Sequence, residues 1–324
     1  MAELRACRSH ARYERRLAVN EGAESALKIL VTGGTGFVGP HVVHALRAEG
    51  HDVRALVRNP GSKAARRLVS WGCEIAQGEM TDAASLARAV AGCDTVVHLV
   101  AILVQSWDRT KRVMEQGTSD LLGASKEAGV RRFVLMSANG THERSKDLTP
   151  YFHAKWEQER MVERAGLEWI AFRPSYVFGR DGGPLPLLVR QVRWAPVITT
   201  IGGDVRMQPI WVDDVAAFFA QAVGRSEALN RSFELAGPDV VSWNELYERI
   251  KRILGKRRPV VPMPIGLARA GAAVAERLPL SVPLSRDALT MLTYEDNVAD
   301  PQPAIEAFGV TPIGLNEQIR RAVT

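Results

Sequence analysis

The chain has 324 residues, 46% of them hydrophobic and 24% charged, the balance of a globular protein long enough for one large α/β domain or one and a half. Its net charge of +6 comes without an aromatic-interleaved basic stretch, so no nucleic-acid partner is expected, and no apolar run approaches the roughly 20 residues that span a bilayer. Three cysteines, Cys7, Cys73 and Cys93, make no CxxC pair and no His-Cys metal spacing; this suits a reducing, cytoplasmic setting without a metal centre.

Residues 1–26 are Arg-rich but also hold Glu3, Glu14, Glu21 and Glu24 and lack the apolar stretch of a signal peptide. A flexible or partly helical tail is expected. The first regular element is Ile29-Leu30-Val31-Thr32, followed by Gly33, Gly36 and Gly39 at intervals of three, then by apolar residues at helical spacing. Strand, glycine turn and helix in that order make an anion site. Glycine lets the backbone approach a phosphate, and the free N–H groups and positive dipole end of the helix face the charge. A glycine turn with no ligand is the bland alternative. A second strand at 52–58 ends on Arg58, with no acid beside it. An acid at that strand end bonds the ribose 2′-hydroxyl of NAD, whereas Arg suits the 2′-phosphate of NADP, so NADP(H) is favoured over NAD(H).

Helix 62–72, strand 73–78 and helix 83–92 follow. A strand at 94–99 carries Leu99, Val100 and Ala101 at its end, and a helix at 111–128 leads to a strand at 131–137 ending on Ser137. This alternation predicts an α/β Rossmann fold, a doubly wound parallel sheet with its ligand crevice at the carboxyl ends of the strands. Thr149 and Pro150 start a helix that runs to residue 165, and a strand at 169–173 is closed by Pro174. Beyond 179 the alternation breaks. The expected division is a tail (1–26), a nucleotide-binding domain (27–178) and a smaller irregular C-terminal substrate lobe (179–324), with 208–236 returning to the first domain.

Several features have ordinary readings. Asp213 and Asp214 are expected to cap a helix at 215–223. Lys251-Arg252 and Lys256-Arg257-Arg258 read as solvated surface, with an acidic partner or anionic membrane as the lesser alternative. Residues 265–280 are amphipathic enough to touch a membrane or partner but read as a lobe helix. Cys73 and Cys93 read as core fillers and His153 as solvated. For Trp107, Trp194 and Trp211, packing is preferred to pocket lining.

Chemistry concentrates at Ser137, Tyr151 and Lys155. Tyr151 and Lys155 lie four apart on one face of a helix. A tyrosine hydroxyl ionises near pH ~10; a neighbouring ammonium, or the positive charge of a nicotinamide, is expected to lower that value and let Tyr151 exchange a proton with an alcohol or carbonyl. Ser137 would hold the substrate oxygen.

With these residues in place the chain resembles the extended or atypical short-chain dehydrogenase/reductases over about residues 27–320. The carriers are Thr32-Gly33-Gly34-Thr35-Gly36-Phe37-Val38-Gly39, Tyr151-Phe152-His153-Ala154-Lys155 with Ser137 upstream, Arg173-Pro174-Ser175-Tyr176-Val177-Phe178-Gly179, and Trp211-Val212-Asp213-Asp214-Val215-Ala216. Phe233-Glu234-Leu235-Ala236-Gly237-Pro238, Leu292-Thr293-Tyr294-Glu295-Asp296-Asn297-Val298 and Phe308-Gly309-Val310-Thr311-Pro312 are similar to the branch that includes the NDUFA-nine-type accessory subunit of respiratory complex I. The resemblance implies cofactor contacts at Gly33, Thr35, Gly36, Phe37, Val38 and Gly39, and Arg58 on the 2′-phosphate. It places Glu79 and Met80 near the adenine, Leu99, Val100 and Ala101 beside the adenosine, and Pro174, Tyr151 and Lys155 further along the cofactor. It implies Tyr151 as acid/base, Lys155 as its activator and Ser137 as oxygen holder. Two positions depart: Glu79-Met80 replaces the usual Asp-Leu or Asp-Val, and Met114 stands where many members carry an Asn that relays protons.

The expected function is hydride transfer by an NAD(P)(H)-dependent oxidoreductase or epimerase acting on a small-molecule substrate. The alternative is an NADPH-binding accessory or assembly subunit of a respiratory complex I-like assembly, peripheral to the inner membrane, or a redox sensor.

Overall fold

Side chains of a strand alternate between two faces, and here both faces are apolar, so every central strand must be covered twice. The computed structural model describes residues 26–103, 106–275 and 285–324. The expected tail up to residue 25, with Cys7, lies outside the described residues, as do residues 276–280 of the amphipathic stretch.

The first part of the chain runs β1 (Lys28–Thr32), α1 (Gly39–Ala48), β2 (Asp52–Val57), α2 (Lys63–Ser70), β3 (Glu74–Gln77), α3 (Ala83–Val90), β4 (Thr95–His98), α4 (Trp107–Thr110), a π-helical turn (Lys111–Gln116), α5 (Gly117–Glu127), β5 (Arg132–Met136), α6 (Pro150–Arg164) and β6 (Glu168–Pro174). The remainder is β7 (Val177–Phe178), α7 (Leu185–Trp194), β8 (Ile198–Thr200), β9 (Arg206–Met207), β10 (Ile210–Trp211), α8 (Val212–Ala222), β11 (Arg231–Leu235), β12 (Val241–Ser242), α9 (Trp243–Leu254), β13 (Val260–Pro262), α10 (Ile265–Ala275), α11 (Arg286–Thr293), α12 (Gln302–Phe308) and α13 (Leu315–Val323).

Seven strands form one parallel sheet in the order β11-β6-β5-β4-β1-β2-β3. Strand order reverses between β1 and β4, the place where an open α/β sheet leaves a crevice. Ile29, Val31, Val97 and Val134 bury one face under α1, α2 and α8, while Leu30, Val96, Phe133 and Leu135 bury the other under α3, α5 and α6. The smaller strands pair in twos: β10 with β7, β12 with β9 and β13 with β8.

Local signals explain most boundaries. Thr149 Oγ1 accepts the N–H of Phe152 at 3.2 Å and Pro150 opens α6. Ser242 and Glu245 form a reciprocal capping box on α9, which ends at Gly255 with φ +62. Two expectations need correction. The helix at 111–128 is not continuous: it begins at Trp107, and residues 111–116 form a π turn. There the Met114 carbonyl accepts Thr118 Oγ1 at 2.5 Å and Gln158 Nε2 at 3.1 Å, and such side-chain donors compete with the helical ladder. Asp213 and Asp214 do not cap α8. They sit in its first turn, and their carboxylates bind His41, Trp211 Nε1 and the Ile313 N–H. Among the described residues no helix is long and apolar enough to cross a membrane.

Candidate functional site

The glycine turn makes a cradle whose three glycines do different work. A Cβ on Gly39 would lie 2.2 Å from the Gly33 carbonyl oxygen, so only glycine lets α1 start against the turn. Gly33 has φ +78, and a Cβ there would lie 3.0 Å from the Leu99 carbonyl carbon. This brings Leu99 and Val100, at the end of β4, beside the turn. Gly36 faces outward; a Cβ there would meet only the Gly33 carbonyl oxygen, at 3.3 Å. Thr35 and Gly36 are exposed, Val38 and Gly39 buried. An open rim over N–H groups at a helix start fits a diphosphate.

Phe37 turns away from the rim. A Cβ on Gly182 would lie 2.1 Å from its ring, so the loop at 179–183 is moulded over Phe37. His41, in the first turn of α1, ties the same loop: Nδ1 meets Asp213 at 2.6 Å and Nε2 meets Asp181 at 3.4 Å. Burial lowers the His41 pKa, but the hydrogen bond and charge of Asp213, with Asp181, outweigh it and leave the imidazole raised.

Arg58 follows β2 and is exposed. Glu79 is exposed and its backbone is bonded to Ser85 Oγ, whereas the Met80 side chain is buried against the start of α5. Ala101 is exposed, and Pro174 is buried at the end of β6.

Ser137 follows β5, with its N–H on the Phe172 carbonyl at 2.7 Å. Its Oγ is buried and has no hydrogen-bond partner among the described residues. Lys155 is buried, and its Nζ donates to the Met136 carbonyl at 2.6 Å, next to Ser137. Burial pulls its pKa down to about 7 against the opposing charge of Glu159. Tyr151 is half-buried one turn earlier on α6. Burial pushes its phenol up, and the Lys155 ammonium donates one of its hydrogens to the Met136 carbonyl.

Sequence reasoning missed the polar network beneath. Thr32 Oγ1 and His98 Nδ1 share a hydrogen bond of 2.6 Å; His98 Nε2 reaches Thr118 Oγ1 at 3.0 Å, and Gln158 Nε2 reaches the same oxygen at 2.8 Å. Desolvation, with the Lys155 charge, holds His98 down at about 3, so its ring is neutral. The network joins β1, β4, α5 and α6, and its one sequence signal is Gln158, which continues the helix face of Tyr151 and Lys155. Cys73 and Cys93 are buried core thiols, as expected. His153 is half-buried against Trp107, with ring centroids 5.4 Å apart, rather than solvated.

The loop at 179–183 leads into a groove of about 910 Å³ between α7, β8 and α9. Leu187, Leu188, Trp194, Trp243, Tyr247 and Leu292 line it, and Arg190 is its one charged wall residue among the described residues. Tyr247 Oη donates to Gln191 at 2.6 Å. Trp194 therefore lines a cavity, where packing was the preferred expectation, while Trp211 is buried.

The profile of the NmrA-like family matches residues 25–281. The chain is 28% identical over 275 residues to the photosystem II assembly factor Ycf39 of Cyanophora paradoxa, covering 80% of this chain and 82% of that one. It is 29% identical over 252 residues to a (4-alkanoyl-5-oxo-2,5-dihydrofuran-3-yl)methyl phosphate reductase of Streptomyces griseus, covering 78% and 82%. Its fold superimposes on an NADPH-dependent quinone oxidoreductase of Escherichia coli with a TM-score of 0.74 at 19% identity, covering 91% of this chain and all of that one.

Proposed function

The chain belongs to the NmrA-like family, and from that premise we propose that it is a nicotinamide-dependent reductase of an apolar carbonyl compound. The observation that carries this reading is the Ser137 hydroxyl, buried without a partner beside Lys155 at the mouth of the crevice. A buried hydroxyl left unpaired costs about 1–3 kcal/mol, a cost that a ligand oxygen removes.

The residues present fit the cofactor. The rim at Thr35 and Gly36 holds the diphosphate, Leu99 to Ala101 lie beside the adenosine, and Arg58 takes the 2′-phosphate that favours NADP(H). The bound nicotinamide supplies hydride. Ser137 Oγ donates to the carbonyl oxygen of the substrate and Tyr151 Oη delivers the proton that completes the alcohol. Lys155 holds the end of β5 through the Met136 carbonyl and favours the phenolate left behind when its own amine is charged. The apolar groove supports a reductase over a sugar-nucleotide epimerase, because a second diphosphate would find only Arg190 in its wall.

The test pairs calorimetric titration of NADPH and NADH with nicotinamide absorbance during incubation with apolar ketones, quinones and UDP-sugars. Oxidation of NADPH by an apolar carbonyl is expected; conversion of a UDP-sugar without net oxidation would replace the reductase with an epimerase. A second reading, a nucleotide-binding module without turnover, is favoured by the upward push on Tyr151. It is the outcome if NADPH binds and no acceptor oxidises it.

A further inference from the structure

Residues 249–275 hold seven Arg and Lys and no Asp or Glu, against +6 for the whole chain, so the remainder is at −1. The positive charge of the protein is thus concentrated in one segment, from the end of α9 through β13 to α10. Arg249 is engaged by Asp239 at 2.7 Å and Lys251 by Glu248 at 2.8 Å. Arg252, Lys256, Arg257 and Arg258 line a shallow concavity at the α9 terminus and have no acidic partner among the described residues.

Apolar surface adjoins this charge. α10 buries Ala268 and Ala272 against Leu289 and turns the opposite face outward. That face is Leu267, Ala270, Gly271 and Val274, at spacings of three, four and seven, with Leu267 64% and Val274 59% exposed. β13 carries exposed Val261 and pairs in parallel with β8, opposite Thr199. The Ile198 N–H bonds the Pro259 carbonyl at 2.9 Å, which sets the start of β8 beside the residue after Arg258, and Trp194 at the end of α7 is 75% exposed.

We propose that this surface, the α9–β13 turn with the outer face of α10, docks on an anionic lipid membrane. Unpaired cations hold the headgroups, and Leu267 and Val274 enter the boundary between headgroup and acyl chain. A basic cluster bordering an exposed apolar helix face is the pattern of interfacial attachment, and an apolar face on a soluble partner would not by itself call for four unpaired cations beside it.

Co-sedimentation of the full chain with phosphatidylcholine vesicles, with and without 30 mole per cent of phosphatidylglycerol (about the anionic fraction that gives a strong surface potential), tests this. Binding at least tenfold tighter to the anionic vesicles is expected, falling steeply with added salt. Reversal at four positions, R252E/K256E/R257E/R258E, is expected to abolish it with NADPH affinity and melting temperature unchanged, and L267S/V274S to weaken it about tenfold. Equal binding to both vesicles, no binding, or binding indifferent to the charge reversal overturns the proposal. So does a concentration-dependent dimer that L267S/V274S dissociates, which would assign the face to a second copy.

Discussion

Gly36 separates cradle from scaffold at the level of one residue. Because a methyl group there meets only one backbone oxygen, at 3.3 Å, Gly36→Ala is expected to leave the melting temperature nearly unchanged. NADPH binding, read by calorimetry, should weaken at least tenfold. Gly39→Ala is the contrasting case: its Cβ has no room, so stability and binding fall together. For Tyr151→Phe, turnover should fall by about 10²–10⁴-fold, the usual worth of a positioned proton donor, with NADPH affinity unchanged. Lys155 carries a cost. Its pKa is depressed by burial to about 7, so above that pH the unfolded chain binds a proton that the folded one does not. Stability attributable to this group therefore rises with pH from about 7 towards the ordinary lysine value. Lys155→Met is expected to raise the melting temperature at neutral pH by a few degrees, of order 1 kcal/mol, while turnover drops.

Between elements, His41 joins α1, α8 and the loop at 179–183. Its raised pKa means that the ion pairs with Asp213 and Asp181 contribute fully below the unfolded histidine value, near 6.5, and are lost as pH rises through the folded value. Wild type and His41→Ala should therefore differ most in stability at about pH 6, by up to about 1 kcal/mol, and the difference should shrink as pH rises. A difference that grows with pH would show that the contact is not ionic. This loop also covers Phe37, so the same contact couples the nucleotide cradle to the entrance of the groove.

At the scale of the whole molecule, an aromatic cluster fastens the C-terminal segment to the sheet. The Phe308 ring on α12 lies 5.2 Å from Phe172 on β6 and 5.1 Å from Phe233 on β11, centroid to centroid, and edges Phe218 on α8. Phe308 is fully buried. Phe308→Ala should cost about 3–5 kcal/mol in urea unfolding. Asn297, just before α12, accepts Ser175 Oγ at 2.5 Å beside the crevice, so the same substitution should also raise KM.

The sequence by itself determined the parallel sheet, the glycine cradle and the capped start of α6, because these rest on local periodicity, backbone freedom and short-range hydrogen bonds. The spacing of Tyr151 and Lys155 was legible for the same reason. Tertiary structure alone decided what surrounds those side chains. It set Lys155 on a backbone carbonyl, buried His98 as a neutral ring, opened the π turn at Met114 and recruited Asp213 to His41, 172 positions away. Burial and partnership depend on which distant segments meet, and a one-dimensional pattern does not encode that meeting residue by residue.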